Sequence, residues 1–359
     1  MMKLADVDLY SPDNYVDHVP HEMFKLLRAE APVFWNPEPE GPGFWSLTKY
    51  KDVVSATHDW RTHSSGKKGV FLFDPEEEDV GALSLMLTNM DPPEHTNLRR
   101  LVRTGFFPAM MRQIEPHIRD LAREIVDRVA DKGECDFVTE VAAELPLQVI
   151  LEMMGVPVED RHVIFDLSNR LIGFDDPEYS SSRENQIEAA AEIYAYANEL
   201  AIERKKNPRN DVVSILMQAE IDGESLSELQ FDLFFLLLAV AGNETTRNLI
   251  SGGMLALIEH PEERAKLLAD PSLLPSAVDE MLRWVSPVMQ FRRTTTRDTE
   301  IRGQKIREGE KATAPSTPSP PALLTAATTS RQWLKAKMGN SIPNVSQIGV
   351  RMAATSSPA

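Results

Sequence analysis

The sequence predicts a mainly α-helical fold with a minor β-sheet, and three observations lead there. From Asp91 onward, apolar residues recur at helical spacing in long stretches. The first 90 residues instead hold short β-like runs between Pro and Gly turn signals. After Lys311 both patterns stop, and 28 of the last 48 residues are Ala, Ser, Thr or Pro, a low-complexity composition rather than the continuation of a folded body.

Taken in order, the runs VFW (33–35) and GFWSLTKY (43–50) predict strands of a small N-terminal sheet. Asp91, Pro92, Pro93 and Glu94 then supply an N-cap, early prolines and a capping-box acid, the start signals of a basic helix. Longer helices are expected at 114–132, 139–154, 184–206, 211–220, 226–258, 261–269 and 273–285, several closed by GVP, NP or HP. The stretch QFRRTTTRD alternates as a strand does. No internal repeat is found. Residues 1–311 are expected to form the folded body and 312–359 a tail.

Charge and cysteine content exclude several classes. The chain has 359 residues and a net charge of -17; all 55 acids precede residue 312, whereas four of the 38 basic residues follow it. Such an acidic body lacks the clustered cations that phosphate neutralisation needs, so no nucleic-acid partner is expected. One Cys forms neither an internal disulfide nor a Cys-rich zinc site. The N-terminus lacks the basic-then-apolar pattern of a signal peptide. The longest apolar run, residues 233–242, is far short of the ~20 residues of a membrane helix. The expected location is cytoplasmic.

Four constellations bear chemistry. In FDLFFLLLAVAGNETTRNLISGGML (231–255), an apolar helix is interrupted by Asn243, Glu244, Thr245, Thr246 and Arg247. Either Gly242 ends one helix and Asn243 or Thr245 caps the next, or Glu244 and Thr245 form an acid–alcohol pair for proton delivery in a dry pocket. Glu280 and Arg283, three apart on a helix face among Met281, Leu282, Trp284 and Val285, suit a partly buried ion pair. His95 and Arg99, four apart near a helix N-terminus, suit either an anionic ligand or a solvated helix start. Arg292, Arg293 and Arg297 offer cations for a ligand, or the charges of a strand edge.

Singly these are weak signals, but their order is specific: D-P-P-E-H-x3-R, then A-G-N-E-T-T, then E-x-x-R 35 residues after Thr245, then an Arg about ten residues on. Over residues 1–311 this resembles the cytochrome P450 family. The resemblance implies the fold of that family, haem b as cofactor and a monooxygenase activity using O2 and electrons from a ferredoxin and an NAD(P)H-dependent reductase. It also implies that His95, Arg99 and Arg293 hold the haem propionates, that Glu244 and Thr245 are the oxygen-activating pair, and that Glu280 and Arg283 brace the core. Arg99, Arg100, Arg103 and Arg112 make a basic patch where an acidic ferredoxin could dock. The segments MLTNMDPPEHTNLRRLV, AAELPLQVILEMMGVP and FLLLAVAGNETTRN look like the bacterial branch that hydroxylates steroid side chains, with fatty acids and terpenoids as neighbouring substrates.

The sequence departs from the family in one respect. The family's haem-thiolate chemistry needs a Cys on the iron, in a Gly-rich loop well after the E-x-x-R helix. The single Cys here is Cys135, between two acids in GECDF, a setting that disfavours a thiolate. The expectation is therefore a P450 fold that stops before the Cys-ligand loop. An out-of-frame or mis-joined end explains the tail, and a non-catalytic remnant that binds apolar ligands or none is the alternative to an enzyme. If the two other reading frames after codon 311 encode no F-x-x-G-x-x-x-C-x-G segment, the frame explanation falls.

Overall fold

The computed structural model describes residues 2–15, 19–39, 41–75, 77–103, 108–172, 182–221 and 224–315. They form two compact units: one from residues up to Ser84 together with those from Asn248 on, the other from Leu85 to Arg247.

The first unit is built on a five-stranded sheet. Strands β1 (Val33–Asn36) and β2 (Phe44–Leu47) pair antiparallel, as the runs VFW and GFWSLTKY suggest. The remaining strands are β3 (His63–Ser64), β6 (Gln290–Thr295) and β9 (Lys311–Pro315), in the order β1-β2-β9-β6-β3. β9 runs parallel to β2, with Phe44 opposite Lys311, and antiparallel to β6, with Arg292 opposite Thr313. Strand β9 takes the described residues four positions past Lys311 and lies at the centre of the sheet. β6 is not an edge, since it pairs on both sides, and Arg292 is buried there at 1% exposure.

Helices α1 (His21–Glu30), α2 (Tyr50–His58), α3 (Glu77–Leu83), α11 (Pro261–Ala269) and α12 (Leu274–Val285) belong to the same unit, as does a hairpin of β7 (Thr299–Ile301) and β8 (Gln304–Ile306). Phe24 and Leu27 of α1 are buried with Phe44, Val7 and Leu9; at about 25 cal/mol per Å2 such side chains supply most of the driving force for the packing. Trp284 of α12 is buried with Ala256, while Leu282, expected to help bury the ion pair, stands 47% exposed.

Among the described residues the second unit is helical apart from a two-stranded hairpin of β4 (Glu220–Ile221) and β5 (Glu224–Ser225). It holds α4 (Glu94–Arg103), α5 (Pro108–Ala130), α6 (Glu144–Met154), α7 (Arg161–Ile172), α8 (Arg183–Lys206) and α9 (Val212–Gln218). Its core joins Leu151 and Met154 of α6, Ile164 of α7, Ile193 and Ala197 of α8, and Phe231 and Phe235 of the next helix. A buried ion pair fixes the corner where α6, α8 and α9 meet: Arg204 Nε donates to Asp211 at 2.5 Å, and its Nη2 to the Gly155 carbonyl at 2.6 Å. Gly155 is left-handed at φ 86° and ends α6, with the Asp211 carboxylate lying where a Cβ would stand.

Helix α10 (Glu228–Glu259) passes from the second unit into the first. It runs 32 residues without a break, so Gly242 does not end a helix. Its lack of a side chain lets α10 press against α6: a Cβ there would sit 2.7 Å from Ile150 Cγ1. Gly252 serves the same purpose against Val285 of α12. Among the described residues no helix is long and apolar enough to cross a membrane.

Candidate functional site

In the second unit the candidate residues lie on α4 and α10. On α4, His95 is half-buried and Arg99 exposed, at the i,i+4 spacing that puts them on one side of the helix. Of the basic patch, Arg100 and Arg112 are exposed as expected, and the Arg103 side chain lies outside the described residues.

On α10 the polar cluster lies inside continuous helix. Thr245 Oγ1 donates to the Ala241 carbonyl at 2.8 Å, the i−4 back-bond that spares a hydroxyl set in a helix from going unpaired. Glu244 does not bond Thr245; its Oε1 accepts from Arg247 Nη2 at 2.5 Å. Asn243 is 2% exposed and its Oδ1 has no hydrogen-bond partner among the described residues.

In the first unit the E-x-x-R pair is closed and buried. Arg283 donates from Nε to Glu280 Oε2 at 2.7 Å and from Nη2 to Oε1 at 2.5 Å. The side chains are 15% and 1% exposed. Arg293, half-buried on β6, donates from Nη1 to the Arg292 carbonyl at 2.9 Å.

Three features of this unit were not singled out by sequence reasoning. His63 on β3 is 5% exposed, and neither ring nitrogen has a hydrogen-bond partner among the described residues. Burial pushes its pKa down; Asp59 opposes this, and Arg293 and Arg297 add to it. Next, Asp74 gathers three cations: Arg292 at 2.8 Å, Lys311 at 2.9 Å and Lys68 at 3.2 Å. Its burial raises the carboxyl, but the hydrogen bonds from Lys311 and Arg292 outweigh that and hold it well below the usual carboxylate range. Last, Phe71 and Phe73 stack 5.6 Å apart at 11° and are each 45% exposed. The F-L-F alternation at 71–73 was the available signal for the last of these. The other two depend on pairing between residues more than 200 positions apart, which no local pattern carries.

The fold is helix-rich and carries, in this order, the polar cluster of α10, the buried E-x-x-R pair of α12 and the arginines of β6. The profile of the cytochrome P450 family matches residues 14–317, and the chain belongs to that family. It is 42% identical over 313 residues to a steroid C26-monooxygenase of Rhodococcus jostii, a match taking in 85% of this chain and 65% of that one, so the chain spans a little under two thirds of that relative's length. It is 40% identical over 320 residues to a methyl-branched lipid omega-hydroxylase of Mycobacterium bovis, covering 86% of this chain and 74% of that one. Among solved structures, a Mycobacterium marinum cytochrome P450 in complex with pseudoionone superposes with a TM-score of 0.80 at 34% identity, covering 98% of this chain and 87% of the other.

The residues present fit part of a haem. His95 with Arg99, and Arg293 near the His63 imidazole, are donor sets suited to the paired carboxylates of that group. The axial position is different. Cys135, half-buried beyond α5, has its thiol pKa raised by burial and then by Glu140 and Asp136, with Lys132 opposing. This is the reverse of the cationic setting that a thiolate ligand needs, and the chain has no other Cys. Cys135 is not placed to be a thiolate ligand, and no step at the iron follows from the residues described.

Proposed function

We propose that this chain carries the substrate-facing, propionate-facing and proton-handling parts of a haem-dependent monooxygenase. The reaction is hydroxylation of a lipophilic molecule, a steroid side chain among the candidates, with O2 and with electrons from a ferredoxin and an NAD(P)H-dependent reductase. The observation that carries this reading is the neighbouring acid and alcohol of α10, directly after the apolar run 233–242, with Thr245 bonded back to Ala241 and Glu244 held by Arg247. A hydroxyl both gives and takes a proton, and a carboxylate one residue away can resupply it. The names of the steroid and branched-lipid hydroxylases among the relatives support the substrate class. In this reading His95, Arg99 and Arg293 bind the haem carboxylates, Glu280 and Arg283 stiffen the core, and the exposed Arg99, Arg100 and Arg112 receive an acidic redox partner.

The surroundings of Cys135 favour a second reading, a non-catalytic member of the family that binds apolar ligands or none. Expression with haem supplied, followed by a carbon-monoxide difference spectrum, separates the two. A Soret band at the thiolate position supports turnover by this chain. Its absence, with the band restored when the segment after residue 311 is replaced by one bearing the Cys loop, supports the second.

A further inference from the structure

Helices α8 and α10 meet along an apolar seam in the second unit. Ala189, Ala197 and Ala201 of α8 share its core with Phe231 and Phe235 of α10, and Tyr196 lies 6.4 Å from the Phe235 ring. Into this contact α10 places a carboxyl group. Asp232 is 6% exposed, although both of its neighbours in the chain are core residues. Its Oδ2 accepts from Asn198 Nδ2 of α8 at 3.2 Å; its Oδ1 has no hydrogen-bond partner among the described residues. The titratable groups acting there are Glu228, one turn earlier on α10, and Tyr194 of α8, whose hydroxyl is itself pushed up by burial and then by Asp232. Among the described residues no cation pairs with Asp232.

The neutral and the ionised group fare differently in such a place. A carboxylate would have one hydrogen bond, no counter-charge and a like charge nearby, whereas a carboxylic acid has no charge to hydrate. Burial accordingly raises the pKa of Asp232; the Asn198 hydrogen bond opposes this, and Glu228 adds to it. In an opened seam the carboxyl meets water and titrates near its ordinary ~3.9. The closed seam therefore binds the proton more tightly, is favoured in acid, and loses stability as pH rises from about 4 to the raised value. The way to water is short. Glu228 and Leu229 are exposed in the turn before Asp232, as is Glu199 beside Asn198, so a local opening hydrates the carboxyl without unfolding the unit.

We infer that Asp232 is a proton-controlled latch between α8 and α10: neutral, it seals the seam, and ionised, it draws water in and lets the middle of α8 open. This rests on neither the haem nor the substrate reading above. The test is amide hydrogen exchange of the full chain, read by mass spectrometry over residues 193–201 from pH 4 to 8 and corrected for the intrinsic exchange rate. In the parent chain the opening constant is expected to rise at least about fivefold across that range, each pH unit inside the window being worth up to about tenfold. Asp232→Asn keeps the size and hydrogen bonding of the acid but cannot ionise, and its opening constant is expected to change less than about twofold. Asn198→Lys supplies the missing cation, so the ionised carboxylate is paired and the rise is expected to vanish or reverse. Asn198 is only half-buried, so this variant decides the matter even if Asp232→Asn folds poorly. An opening constant that stays flat in the parent chain, or that rises equally in Asp232→Asn, overturns the latch. A rise in Asn198→Lys as large as the parent's overturns it too.

Discussion

Replacing Glu280 by Ala removes the acceptor of both Arg283 hydrogen bonds, at 2.7 and 2.5 Å, and leaves a guanidinium that is only 15% exposed without its counter-charge. Breaking one side of a buried pair costs about 3–5 kcal/mol, against about 0.3–0.5 for an exposed helix pair of the same spacing. Water reaching the exposed edge of Arg283 places the cost at the lower end, about 3 kcal/mol. At about 2–4 °C per kcal/mol for units of this size, Tm falls by roughly 6–12 °C. The assay is thermal unfolding followed by near-UV circular dichroism, where Trp284, its ring tilted at 35° and 6.2 Å from that of His21, reports on the surroundings of α12. The double variant Glu280→Leu/Arg283→Met should recover most of the loss, because neither charge is left stranded. A drop under about 2 °C for Glu280→Ala, or a double variant as poor as the two singles added together, would refute a buried, mutually dependent pair.

Three further outcomes are expected. Because His63 has a folded pKa below its unfolded one, the unfolded chain takes up the proton first, so this group lowers stability as pH falls through about 6.5; His63→Phe should flatten the loss seen by urea unfolding between pH 7.5 and 5.5, and an unchanged slope would count against a buried neutral ring. Gly242→Ala should destabilise by about 1–3 kcal/mol despite gaining about 1 kcal/mol of helix propensity, since the new Cβ meets Ile150 at 2.7 Å; a stabilised variant in a thermal melt would show that α6 yields easily. Cys135→Ser should leave haem uptake and the carbon-monoxide spectrum unchanged, and a shifted Soret band would make Cys135 the ligand after all.

Much of the helical body was legible because its apolar spacing is local. Residues 184–206 and 261–269 fall within a residue of α8 and α11, and 273–285 within a residue of α12. Helices α1 and α7 were not foreseen: their inward residues, Phe24 and Leu27 or Ile164 and Leu167, make sense only against partners far along the chain. The polar run at 243–247 could be read as a helix break, and close packing of Gly242 on Ile150 decided for continuity. The ion pair of Glu280 and Arg283 was suggested by their spacing together with apolar neighbours, and the structure shows it closed and buried. The burial of Arg292 and the surroundings of His63 come from β6 pairing with β9 and β3, a long-range arrangement.

The place of β9 bears on how the chain is made. The β1–β2 hairpin leaves the ribosome early, yet the strand that covers its open side begins at Lys311. At about 5–20 residues per second, roughly 15–50 s of synthesis separate the two. Through that interval the edge of β2, with Phe44 and Trp45, stands without its neighbour, a surface on which nascent chains can pair with one another. Slower decoding before residue 311 should therefore lower soluble yield, and a chaperone that shields strand edges should raise it.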